Sequence, residues 1–291
     1  MGLFLATRLQ RSGKPIGLLD YRPERAQRLH EITLREGIQS YLATITPHTD
    51  PAIVATYADI LICVKAHATH HVAQALAPHI RSDACVLTLQ NGLGNKEALA
   101  CLPCVSNLRV GITSYGAYLE DENTVQSAGE GKILIGSSQH DTVGLFWKEM
   151  FHRANLQVEL VDNLDTMLWK KLILNAALNP VTALFGLRNG ELVTHPAAWQ
   201  KAIAILQESV AVAKSVGLDM NVDELRQELK NICQKTQKNR SSMLVDIQAG
   251  RTTEIEAING AIIRAAATSG QPTPCNETIM QEVLAHQSHA V

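Results

Sequence analysis

The chain has 291 residues, 46% of them hydrophobic and 19% charged, with 26 basic against 28 acidic side chains. That length suits two domains better than one, and the composition excludes a disordered chain. The charge balance leaves no net basic footprint for nucleic acid, though it leaves room for a local patch, the 4% aromatic content disfavours a base-stacking platform, and no apolar run approaches the roughly eighteen residues of a membrane span.

Six cysteines do not make a disulfide scaffold at this length. The short opening apolar run, interrupted by Arg8 and Arg11, does not fit a signal peptide, so the cytoplasm is the expected compartment. Residues 3–10 read as the first turns of a helix, with Leu5 and Leu9 four apart and Gly13 ending it. Residues 16–19 form an apolar run closing on Asp20, as a buried strand does. Pro23 follows, and residues 24–36 read as helical, with Ala26, Leu29, Ile32 and Thr33 on one side.

A parallel α/β domain normally opens with a strand, whereas this chain opens helix, strand, helix. In a dinucleotide-binding unit the first strand leads into G-x-G-x-x-G, and an acid about 20 residues on closes the second strand. Here Gly2 stands in the place of the third glycine and Asp20 lies 18 residues beyond it. The pattern predicts that a first strand and two glycines are missing ahead of Met1; the alternative is an unrelated fold that starts with a helix. Further strands are expected at residues 58–65, 84–90, 110–118 and 132–135, with a helix over 69–80. Asn91-Gly92-Leu93-Gly94 and Gly129-Glu130-Gly131 read as turns. Strands alternating with helices predict a parallel, doubly wound sheet.

After about Asn163 the strand-like runs stop, and residues 167–178, 197–216, 223–234, 243–249 and 254–269 all read as helices. One of them carries chemistry. Trp169, Leu172, Ile173, Leu174, Ala176, Ala177 and Leu178 cover nearly the whole circumference, which predicts a buried helix. Lys171, Asn175 and Asn179 recur four apart on one face, and Pro180 is expected to end the helix. A buried ammonium and amides are costly without partners. They are either a structural polar knot or a row of donors lining a cleft, where desolvation lowers the lysine pKa toward that of a proton donor. Thr253 and Glu256 fit a capping box, placing Glu254 in a first helical turn where the dipole alone could account for it. Cys101 with Cys104, and His67 with His71, have ligand-like spacing but lack further ligands, so no metal site is expected.

These residues together resemble the ketopantoate reductase family. The pieces, in order, are Ile62-Cys63-Val64-Lys65, Gln90-Asn91-Gly92, Gly111-Ile112-Thr113, Trp169-Lys170-Lys171-Leu172, Asn175, Asn179-Pro180, Asn189-Gly190-Glu191-Leu192, Ser241-Ser242-Met243-Leu244 and Thr253-Glu254-Ile255-Glu256. The resemblance spans nearly the whole chain. It implies a Rossmann-like α/β domain over residues 1–163 and an all-helical domain over residues 164–291, with the active site in the cleft between them. It implies reduction of 2-dehydropantoate to (R)-pantoate by NADPH, a small 2-oxo acid being the partner, with the chain a monomer or homodimer. By position, Lys171 is the general acid and Glu254 orients substrate or cofactor. Asn91, Asn175, Asn179, Asn189 and Ser242 bind substrate, and Gly2, Arg22, Lys65, Asn91, Ala117 and Glu254 line the cofactor site. Asp20 at the end of the second strand keeps NADH open, because an acid there suits a free ribose, whereas Arg22 and Arg25 suit the 2′-phosphate of NADPH. The alternatives are a reductase of another 2-oxo acid, or a non-catalytic sensor or inactive remnant that keeps the dinucleotide fold.

Overall fold

The computed structural model describes residues 1–288 and divides into two compact units. The first comprises Met1–Gln90 and Asn95–Leu164; the second comprises Asn91–Gly94 and the chain from Asp165 onward. No helix among the described residues is long and apolar enough to cross a membrane.

The first unit runs α1 (Gly2–Arg11), β1 (Gly17–Leu19), α2 (Pro23–Ala26), β2 (Glu31–Glu36), β3 (Gln39–Thr44), β4 (Thr46–His48), β5 (Asp59–Ile62), α3 (Thr69–Leu76), β6 (Cys85–Thr88), α4 (Asn95–Ala98), β7 (Leu108–Thr113), β8 (Ala117–Leu119), β9 (Thr124–Ser127), β10 (Ile133–Gly136), α5 (Thr142–Arg153) and β11 (Val158–Val161). The strands form three sheets rather than one. They are a parallel β1-β4 pair, a five-stranded sheet in the order β11-β10-β7-β6-β5, and a four-stranded sheet in the order β3-β2-β9-β8. In the five-stranded sheet β5, β6 and β7 are parallel and only the β7–β10 pairing is antiparallel. Helix α1 ends through Ser12, with Gly13 at φ +88° beyond it. Leu3, Phe4, Leu5 and Leu9 of α1 and Trp147 and Phe151 of α5 share one core with the five-stranded sheet.

The helix expected over residues 24–36 is corrected. Only Pro23–Ala26 is helical, and Glu31–Glu36 is a strand paired with β3 on one side and β9 on the other. Ile32 and Leu34 are fully buried while Glu31 and Arg35 face out, the two-residue period of a half-buried strand. The single strand expected over residues 110–118 is two strands in different sheets, β7 and β8.

The second unit contains α6 (Leu164–Phe185), α7 (Asn189–Thr194), α8 (Pro196–Ser215), α9 (Val222–Lys235), α10 (Ser242–Gln248), α11 (Ile255–Ser269) and α12 (Pro274–Ser288). α6 is its axis, with Trp169, Leu172, Ile173, Leu174, Ala176, Ala177, Leu178 and Val181 all buried in the helical core. Burying such side chains contributes on the order of 1.5–3 kcal/mol each for the larger ones. Pro180 does not end this helix, contrary to the expectation, because α6 continues to Phe185. Proline has no N–H for the carbonyl four residues back, which here is that of Ala176. Asn259 of α11 donates its Nδ2 to that carbonyl at 3.3 Å, so the orphaned acceptor is satisfied.

Candidate functional site

Because α6 is apolar nearly all round, its polar row stands out. Lys171 and Asn175 are partly exposed and Asn179 is buried at 6% exposure. Desolvation in this packed setting pulls the Lys171 ammonium from its ordinary value of 10.5 down to about 8, with the Glu254 carboxylate pulling the other way. Glu254 lies immediately ahead of α11 and is 7% exposed. Its Oε2 accepts from Asn91 Nδ2 at 3.1 Å. Asn91 belongs to the four-residue loop that groups with the helical unit, and Gly92 fixes the approach of that loop to α11. Gly92 has φ +86°, and a Cβ there would lie 2.3 Å from the Ala257 carbonyl oxygen, so only glycine fits. Lys171, Glu254 and Asn91, remote in sequence, thus form one charged and hydrogen-bonded cluster: a cation of lowered pKa, a buried anion that favours its protonated form, and an amide that orients the anion.

The other expected residues divide. Asn179 offers its carbonyl to the Ser241 hydroxyl at 3.4 Å, and Thr182 and Ser241 hydroxyls are 2.8 Å apart. Ser241 is the buried N-cap of α10, accepting from the Leu244 N–H, whereas Ser242 is the exposed first residue of that helix. The buried serine beside Asn179 is therefore Ser241, which sequence reading passed over for its neighbour. Asn189 opens α7 and is buried, with Nδ2 donating to Thr236 Oγ1 at 2.9 Å and Oδ1 lacking any partner among the described residues. It is held by the segment after α9 and not by the α6 row. Thr253 does not cap α11 through a box with Glu256; Glu254 is the N-cap position, and the Thr253 hydroxyl accepts from the Ile255 N–H.

In the first unit, Gly2 is the first residue of α1, with no capping side chain and no acid in the first turn. A Cβ on Gly2 would sit 3.3 Å from that of Cys63, so the helix start lies against the end of β5, where Lys65 follows. Ala117 lies in β8 of the four-stranded sheet. At the end of β1, Asp20 is 7% exposed and accepts from the Arg22 backbone N–H at 3.0 Å, from Arg22 Nε at 3.1 Å and from the Arg25 guanidinium. Burial would raise the Asp20 pKa, but the Arg22 hydrogen bonds and the Arg25 charge outweigh it and hold the carboxyl below its usual range. A helix start without a capping side chain and arginine guanidiniums at a strand end are the kinds of group that hold phosphates. The residues present therefore fit a phosphate-bearing dinucleotide.

Two family models for ketopantoate reductase match this chain, the N-terminal model over residues 1–140 and the C-terminal model over residues 163–287. The chain belongs to the ketopantoate reductase family. A 2-dehydropantoate 2-reductase of Archaeoglobus fulgidus is 35% identical over 236 residues, covering 79% of this chain and 77% of the relative. The crystal structure of a PanE/ApbA family ketopantoate reductase from Ralstonia eutropha JMP134 superposes with a TM-score of 0.88 at 26% identity, covering 98% of this chain and 94% of that one. A D-mandelate dehydrogenase bound to NADH and anilino(oxo)acetate shares the fold, with a TM-score of 0.92 at 23% identity and full coverage of this chain.

Proposed function

We propose that this ketopantoate reductase family member reduces 2-dehydropantoate to (R)-pantoate with NADPH, in the cytoplasm, Lys171 being the general acid. The observation that carries the reading is the α6 lysine held at about 8 against the buried Glu254 carboxylate. A group of that pKa is charged at neutral pH yet gives up its proton readily. When bound, NADPH supplies the hydride to the carbonyl carbon. Lys171 Nζ delivers the proton to the carbonyl oxygen, and its charge stabilises the negative charge that builds there. Glu254 keeps Lys171 protonated before the step, and Asn91 fixes the Glu254 carboxylate. Asn175, Asn179, Asn189 and Ser242 are assigned to the substrate's hydroxyl and carboxylate.

Gly2 and the opening amides of α1, with Lys65, Ala117 and Asn91, are assigned to the cofactor. Residues 1–163 serve as the cofactor domain and residues 164–291 as the substrate domain. Arg22 supports NADPH over NADH, because its guanidinium is half exposed while the Asp20 carboxylate it pairs with is buried. The test is NADPH oxidation by the purified chain with 2-dehydropantoate, set against Lys171→Ala. Turnover is expected to fall about 10²-fold or more, the usual cost of removing a general acid. Unchanged turnover in the variant would remove Lys171 from the mechanism, and a kinetic preference for NADH would overturn the cofactor assignment.

A further inference from the structure

Lys65 and Asn91 lie on the loops that follow β5 and β6, and a buried polar cluster joins those loops from beneath. Thr69 opens α3 at 1% exposure, beside Thr88 at 0% and Gln90 and Asn95 at 6% each. Gln90 Nε2 donates to Thr69 Oγ1 at 2.6 Å and to the Val64 carbonyl at 2.9 Å. Gln90 Oε1 accepts from the Thr88 hydroxyl at 2.8 Å. The single hydrogen of the Thr69 hydroxyl faces two acceptors, the Ala66 carbonyl at 2.9 Å and Asn95 Oδ1 at 3.0 Å. One hydroxyl therefore touches the loop after β5, the second residue beyond β6 and the first residue of α4.

Gln90 and Asn95 are the two residues that flank Asn91–Gly94, the excursion that groups with the helical unit. Within that excursion Gly92 and Gly94 both have positive φ, at +86° and +88°. The glycines let so short a segment take these backbone angles, and the direction in which it leaves the sheet is set where its ends are held. Thr69 pins them by bringing Gln90 and Asn95 onto the same oxygen.

We infer that Thr69 is a positioning residue for the reaction: its hydroxyl clasps Gln90 to Asn95, setting the direction in which Asn91 leaves the sheet and the backbone on which Lys65 is carried. The inference rests on the reading of Lys65 and Asn91 given under Proposed function. Valine has the shape of threonine without the hydroxyl, so a packing role alone would tolerate it, whereas a clasp would not. In Thr69→Val a buried Gln90 N–H loses its acceptor, which a buried amide does not tolerate without cost.

The test uses the full chain as Thr69→Val, Thr69→Ser and, as a matched control, Thr7→Val. Thr7 is likewise fully buried and spends its hydroxyl on the Leu3 carbonyl within α1. Two readouts are taken: amide hydrogen exchange without ligand, and steady-state kinetics with NADPH and 2-dehydropantoate. Thr69→Val is expected to speed exchange in residues 64–68 and 90–95 and to raise the KM for NADPH, each by about tenfold, the scale of one buried hydrogen bond lost. Its kcat should change less than its KM. Thr69→Ser should restore both, and Thr7→Val should move neither. Wild-type exchange in both segments for Thr69→Val, a uniform increase across the first unit, or failure of serine to rescue would each overturn the clasp. If wild type shows no turnover while exchange loosens only in the two segments, the reaction assignment fails and the clasp stands.

Discussion

Raising the pH through 8 probes Lys171 directly. Its ammonium, pulled from 10.5 to about 8 by desolvation, should be protonated in roughly nine tenths of molecules at pH 7 and about one per cent at pH 10. If Lys171 is the general acid proposed above, reduction requires that proton, so kcat/KM at saturating cofactor should be flat below pH 7 and fall tenfold per pH unit above about 8. The structure also gives the direction of a second variant. The Glu254 carboxylate raises the Lys171 pKa, so Glu254→Gln should move the descending limb to lower pH. The same displacement enters stability. Between pH 8 and 10.5 the unfolded chain binds more protons than the native one, so stability rises with pH across that window. Below pH 8 the desolvated ammonium costs the native state its full amount, about 3 kcal/mol on conversion of the displacement. Lys171→Met should abolish that slope in urea unfolding measured from pH 7 to 10.5. The reasoning is refuted if the wild-type rate stays level to pH 10, or if Glu254→Gln shifts the limb upward.

Three further outcomes follow from particular contacts. Gly92→Ala places a methyl 2.3 Å from the Ala257 carbonyl at a positive φ; a loss on the order of 1–3 kcal/mol is expected by denaturant unfolding, with kcat/KM falling as Asn91 is displaced from Glu254. Asn259→Leu strips the Ala176 carbonyl and Asn276 Oδ1 of their donor and should cost about 1–3 kcal/mol, read as a lower denaturant midpoint. Asp141 caps α5 through the Val143 N–H, and the hydrogen bonds from Arg109 and Ser137 hold its carboxyl well below the usual range. A depressed carboxyl stabilises above its unfolded pKa of 3.8 and loses that contribution as the pH falls below it. Wild type and Asp141→Asn should therefore converge in stability in acid, while near neutrality the variant is about 1 kcal/mol or more weaker.

The polar row of α6 was legible because the pattern is local: a helix apolar all round with Lys171, Asn175 and Asn179 in register shows that row without any partner. What partners decide was not. Residues 24–36 satisfied a helical spacing through Ala26, Leu29, Ile32 and Thr33, but Ile32 and Leu34 also satisfy a strand's alternation. The choice falls to pairing, with Gln39–Thr44 across a tight turn and with Thr124–Gln126 some ninety positions on. The continuation past Pro180 depended on Asn259, 83 residues from Ala176. The Asn91–Glu254 hydrogen bond spans 163 positions. Ser241 and Ser242 are chemically identical neighbours, and only the N-cap geometry of α10 tells the buried hydroxyl from the exposed one.

The proline inside α6 makes two distant positions answer to each other. An ordinary residue at 180 would give the Ala176 carbonyl a backbone donor of its own, and the Asn259 amide would then be a second donor to an acceptor already satisfied, keeping its bond to Asn276 Oδ1. While the proline stays, one amide side chain stitches the lysine-bearing helix to the helix that begins beside Glu254. A sequence change at either end of that stitch therefore alters how those two helices are tied together.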